Sequence, residues 1–121
     1  MNFKTNEKTI RLRYIRVLEK FVTKTISLLK YDNFDLELFK TAINKAYLEM
    51  DKATKCDLYS EYPQALKSLV DHILISIENH SDDFETEKNS ILKQSNLLAK
   101  LKNNNRYKKD KHKKKKFTDG Y

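Results

Sequence analysis

The stretch Thr9–Lys30, TIRLRYIRVLEKFVTKTISLLK, decides how the rest of the chain is read. Ile10, Tyr14, Val17, Phe21 and Leu28 recur at three- and four-residue steps around the polar Thr25, and Ile15, Leu18, Val22, Ile26 and Leu29 form a second row beside them. A half-buried strand would alternate with a period of two, whereas this spacing follows the 3.6-residue turn of an α-helix. It predicts a helix over 9–30 with an apolar face two rows wide. Such a face has to be covered, either by the rest of the chain or by a partner.

The next segments repeat the helical pattern. Tyr31–Asp35, YDNFD, interrupts it and offers Asp32, Asn33 or Asp35 as an N-cap. Leu36, Phe39, Ile43, Ala46, Met50 and Ala53 then mark a second helix ending near Cys56. The only proline, Pro63, lies in DLYSEYP, and its fixed φ and missing N–H suit the first turn of a third helix. That helix carries the densest apolar set: Leu66, Leu69, Val70, Ile73, Leu74 and Ile77, with Ile75 beside them. The run ILISI within it has no partner strand and follows helical spacing, so it is read as helix. Ser81 is the expected N-cap of a fourth helix, followed by Asp82, Asp83, Glu85 and Glu87, carboxylates that favour the positive end of a helix dipole. Phe84, Ile91, Leu92, Leu98 and Leu101 carry it to about Lys102, on a thinner stripe that suits the edge of the fold.

With one glycine and one proline, the chain lacks the turn residues of an all-β domain. The expected fold is all-α: a compact antiparallel bundle of about four helices over residues 1–105, in a chain of 121 residues that holds one domain. Residues 106–121 form a lysine-rich tail without apolar periodicity, and it is expected to be disordered because dense like charge cannot offset the entropy of ordering.

Cys56 is the single cysteine, so no disulfide forms within the chain. The N-terminus lacks the apolar core of a secretory signal, and no run reaches the roughly 18 apolar residues of a membrane span. A soluble, cytoplasmic protein without a membrane span is expected. Gly120, as the only glycine, excludes a glycine-rich phosphate loop. His72 and His80 are eight residues apart, which does not place both on one turn of a helix face, so no metal is assigned. His80 with Asp82 and Asp83 is better explained by a helix start than by a cation. Cys56, between Lys55 and Asp57, reads as a helix-end residue rather than a nucleophile. Arg106 and His112, separated by five residues, formally match the Arg-x(4–6)-His motif of HEPN ribonucleases, which this chain resembles in length and helical class only. In so basic a run that spacing is unsurprising. No enzyme activity, catalytic residue or cofactor is assigned.

Charge is unevenly laid out. Residues 1–30 hold eight Lys/Arg against two acids, residues 31–87 five against thirteen, and residues 88–121 twelve against two, for a total of +8. Abundant Ile, Lys, Asn, Tyr and Phe is also what an AT-rich genome would encode, so clustered lysines carry more weight than scattered ones. Arg13, Arg16, Lys20 and Lys24 are three, four and four residues apart and fall on one narrow helix face away from the main apolar stripe. In the tail, Arg106, Lys108, Lys109, Lys111, Lys113, Lys114, Lys115 and Lys116 lie beside Tyr107 and Phe117. Cations track phosphates, and aromatic rings stack on unpaired bases. The expected function is therefore non-enzymatic binding of nucleic acid, RNA or DNA without sequence specificity, or of a ribonucleoprotein. The alternative is a protein-protein interaction module: a bundle that self-associates or adapts a larger complex, covering a partner with the broad face of its first helix and receiving a basic surface on its acidic middle, while the lysines of the tail would dock on an acidic protein surface. Tyr59 and Tyr62, flanking the turn before Pro63, are read as sealing one end of the bundle.

Overall fold

The computed structural model describes the backbone of residues 3–118 and the side chains of residues 7–103. Four helices follow one another: α1 (Phe3–Leu29), α2 (Leu36–Asp51), α3 (Glu61–Glu78) and α4 (Glu85–Thr118). The fold is an all-α antiparallel bundle. Helix α1 packs against α2 and α3 and, less extensively, α4, while α3 packs against α4. The directions follow from which residues meet. Tyr62, early in α3, and Lys102, late in α4, converge on Glu19, whereas His72 in mid-α3 meets Gln94 and Ser90, so α3 and α4 run in opposite senses. Arg13 shares a groove with Lys52 and Lys24 one with Lys45, so α1 and α2 are antiparallel as well.

The two apolar rows of the first helix are used inside the chain. Tyr14, Leu18, Phe21, Val22 and Leu29 are buried, and Ile15, Val17, Ile26 and Leu28 pack against them. Thr25, at 0% exposure, interrupts the stripe without leaving an unsatisfied group, because its hydroxyl donates to the Phe21 carbonyl at 2.8 Å. Phe39, Ile43 and Met50 bury the inner side of α2, and Leu66, Leu69, Val70, Ile73 and Ile77 that of α3. ILISI is helical throughout. Phe84 just ahead of α4 and Ile91 and Leu98 within it are buried, so this thin-striped helix docks on the bundle along its first turns.

Helix ends depart from the sequence reading in four places. Helix α1 starts at Phe3 rather than Thr9, since the polar residues ahead of the apolar rows contain nothing that stops a helix. Helix α2 is capped by Asp35, whose carboxylate accepts from the Leu38 N–H at 3.1 Å, as one of the three candidates allowed. It ends at Asp51 rather than near Cys56: the Lys52 and Ala53 amides bond back three residues, to Glu49 and Met50, which tightens and closes the last turn. Cys56 and Leu58 then pack on the core from an irregular connection.

The third departure is at α4, where Ser81 is not the N-cap. The helix begins at Glu85, after Phe84 has taken a φ of 62°. Asp83 accepts from the Glu85 N–H at 3.1 Å, and the Ser81 hydroxyl donates to Glu87 at 2.8 Å and Asp83 at 3.2 Å. The left-handed conformation disfavours a side chain with a Cβ by about 1–2 kcal/mol. What holds it is the fully buried Phe84 ring, stacked on Phe34 at 6.2 Å and tilted against Phe39 at 5.4 Å. These contacts also join the α1–α2 and α3–α4 connections at one end of the bundle.

The fourth departure is the end of α4, whose backbone runs on to Thr118, past the Lys102 at which its apolar stripe ends; the side chains of 104–118 and all of 119–121 lie outside the described residues. Among the described residues, no helix is long and apolar enough to cross a membrane.

The aromatic anchor yields a test by urea denaturation. F84A should lose about 3–5 kcal/mol of stability, as expected for removing a buried ring. F84G should be the milder of the two by roughly 1 kcal/mol, because glycine takes the left-handed conformation without strain.

Candidate nucleic-acid interface

Because three helices cover α1, little of it faces solvent. From Leu12 onward its exposed residues are Leu12, Arg13, Arg16, Lys20, Thr23, Lys24, Ser27 and Lys30, a stripe without a carboxylate. The four cations singled out from the sequence are thus all exposed and brought onto one line. They also form one wall of a groove between α1 and α2. Toward one end, Arg13, Arg16 and Val17 face Lys52, Ala53 and Thr54 across a space of about 460 Å³. Toward the other, Val17, Lys20, Phe21 and Lys24 face Lys45, Ala46, Glu49 and Met50 across about 400 Å³.

Helix α2 therefore adds Lys45 and Lys52, which sequence reasoning missed. Neither stands out in the chain, since the block they belong to is acidic overall and only the packing of α2 on α1 turns them toward the ridge. Glu49 is the one carboxylate lining the groove, and Lys52 lies 3.2 Å from it in an exposed pair worth little energetically. Six cations against one anion around an apolar floor make a surface of positive potential that draws in polyanions.

The acid closest to this stripe in sequence is withdrawn from it. Glu19 sits between Arg16 and Lys20 along the chain but is half-buried on the opposite flank of α1, where its carboxylate accepts from the Tyr62 hydroxyl at 2.7 Å and the Lys102 ammonium at 3.0 Å. Lys102 also lies 5.5 Å over the Tyr62 ring. Burial by itself would raise the Glu19 pKa. The bonds from Tyr62 and Lys102, with the positive charges of Lys102 and Arg16, outweigh that and hold the carboxyl below its ordinary value. Burial, and then the bond to Glu19, push the Tyr62 phenol above its ordinary value. Eight of the other carboxylates gather away from the groove. Asp32, Asp35, Glu37, Glu78, Asp82, Asp83, Glu85 and Glu87 lie in or beside the two connections joined by Phe34 and Phe84.

The remaining candidates fall into local roles. Tyr62 seals the bundle while its hydroxyl bonds to Glu19, and Tyr59 stays exposed with the Arg11 guanidinium 5.1 Å over its ring. His72 bridges α3 to α4, with Nδ1 2.6 Å from Gln94 and Nε2 3.5 Å from Ser90. His80 Nδ1 lies 2.7 Å from the Ser81 carbonyl. Cys56 is half-buried against the core. Among the described residues no three His, Cys, Asp or Glu side chains gather to hold a metal ion. The side chains of Arg106, Tyr107, Lys108, Lys109, Lys111, Lys113 to Lys116 and Phe117, and of His112, lie outside the described residues.

The Glu19 junction predicts a pH-dependent contribution to stability. E19Q should cost on the order of 1 kcal/mol at neutral pH, the typical net worth of one such hydrogen-bonded group. With the folded pKa depressed, the stabilisation is complete above the unfolded value and is lost as pH falls through the folded one. Urea titrations in a descending pH series should therefore show wild type and E19Q converging in acid, and a gap that stays constant would assign the loss to packing instead. Comparison with known protein families, with curated proteins and with solved structures finds no match to this chain.

Proposed function

We propose that this protein is a non-enzymatic nucleic-acid-binding protein whose folded contact surface is the α1–α2 groove and whose lysine-rich C-terminal segment is a second, tethering contact. The observation that carries the reading is the convergence of Arg13, Arg16, Lys20 and Lys24 with Lys45 and Lys52 on one groove, which Glu49 alone among the carboxylates lines. Each phosphate met by a cation releases condensed counterions, so binding is driven largely by their entropy and weakens steeply with salt. The groove presents no recognisable base-reading element, so affinity does not depend on sequence. Where the target is unpaired, Tyr107 and Phe117 add stacking. In this reading the protein acts in the cytoplasm, on RNA, DNA or a ribonucleoprotein.

The alternative, a self-associating or adaptor module, rested on the broad face of the first helix. That face is covered by α2, α3 and α4 within one chain, which removes the main reason for a partner there.

Binding to random-sequence RNA and to duplex DNA across a salt series tests the proposal. The full chain should bind both with a steep negative slope of log K against log[salt]. Changing Lys113 to Lys116 to serine should flatten that slope by about 3 to 4 for a duplex, close to 0.9 per lost contact, with the helical circular dichroism of the bundle retained. Unchanged binding would remove those lysines from the mechanism. Absence of salt-dependent binding in the full chain would end the nucleic-acid reading.

A further inference from the structure

The groove carries information on the form of nucleic acid it takes, an inference that rests on the nucleic-acid reading above. Its cations stand in two rows. Along α1, Arg13, Arg16, Lys20 and Lys24 climb about 16 Å in steps of roughly one helical turn. Across from them Lys45 in α2 and Lys52 at its C-cap stand on the neighbouring helix. A duplex likewise presents two phosphate chains, one along each edge of a groove. A lone strand has only one such chain.

The floor between the rows points the same way. It is Val17, Ala46 and Met50, with Phe21 buried beneath at 3% exposure. The exposed tyrosines among the described residues, Tyr31, Tyr47 and Tyr59, do not line this groove. An unpaired strand gains its affinity for a protein groove largely by stacking bases on aromatic faces, and the two aromatic residues that line this groove, Tyr14 and Phe21, are buried at 4% and 3% exposure. A duplex hides its base faces and needs only the phosphate contacts. The exposed hydroxyls of Thr23 and Ser27 continue the α1 stripe with the kind of side chain that meets phosphate and sugar oxygens.

We infer that the α1–α2 face binds the double-stranded form of nucleic acid, laying one cation row on each of two phosphate chains that border a groove of the duplex. Single strands are left to the C-terminal aromatics and lysines. The two rows make the arrangement testable, because α2 takes part only if both chains are gripped.

The experiment measures, by fluorescence anisotropy over a salt series, the binding of the full-length protein to a duplex of about 16 base pairs and to an unstructured oligouridine of equal length, spanning the ridge. Three chains are compared: wild type, R13Q/R16Q/K20Q/K24Q, and K45Q/K52Q, with helicity checked by circular dichroism. Glutamine keeps helix propensity while removing charge. The four-residue variant should lose at least about tenfold in duplex affinity and flatten the duplex slope by about 3 to 4, and K45Q/K52Q should flatten it by about 2. Oligouridine binding should change less than about threefold in both, because stacking and the C-terminal lysines carry it. Equal losses on both ligands, or a larger loss on oligouridine, overturn duplex selectivity while leaving nucleic-acid binding intact. A duplex slope unmoved by K45Q/K52Q overturns the two-row contact, and this variant also serves if the four-residue one unfolds. Wild type that binds neither ligand overturns the functional reading itself.

Discussion

Everything else in this molecule follows from the burial of α1 on more than one side. Its two apolar rows cannot be covered by a single neighbour, so α2 and α3 both pack on it and α4 reaches it from a third direction. The part of α1 left to solvent is then one narrow stripe, and the stripe holds Arg13, Arg16, Lys20 and Lys24. The same requirement aims α2. To cover Val17 and Phe21 it must lie along the edge of the cation stripe, and its outer side brings Lys45 and Lys52 to the opposite wall. The basic groove is a by-product of where the core has to be sealed.

Two junctions keep the ends of the bundle distinct. At one, the aromatic rings of Phe34, Phe39 and Phe84 join the two helix connections, and the packing they provide is enough to hold Phe84 in a left-handed backbone that only glycine adopts without strain. Carboxylates at these connections serve helix starts, as Asp35 does for α2 and Asp83 for α4. Further along α1, the Glu19 carboxylate is shared by Tyr62 and Lys102 and ties three helices together. Lys102 is thereby engaged within the bundle, and the Glu19 charge is compensated mainly by Tyr62 and Lys102, with Arg16 of the cation stripe adding to it. The surface consequence is a groove with six cations and one carboxylate, Glu49, on its walls.

The number and order of helices were legible because apolar residues at three- and four-residue spacing admit no other regular structure. Asp35 as a cap and Pro63 in a first turn were readable for local reasons, since each acts on backbone within a few residues of itself. Helix ends that depend on distant partners were not. Ser81 looks like an N-cap in isolation, but Phe84 enters an aromatic cluster made with residues some fifty positions away and resets the start of α4 to Glu85. Likewise Ala53 continues the stripe of α2 on paper, whereas the chain there leaves the helix to begin the crossing to α3.

For the candidate site the division is similar. The amino-acid sequence by itself determined that the chain is helical, that α1 has a broad face to bury, and that four of its cations share the opposite side, because all three are properties of one helix and its 3.6-residue period. Only the tertiary structure decided that the broad face is covered within the chain, that Glu19 bonds to Tyr62 and Lys102, and that Lys45 and Lys52 complete a groove with the four cations of α1. Those outcomes depend on which helices lie side by side, and charges far apart in sequence acquire a common purpose only when packing places them on the same surface.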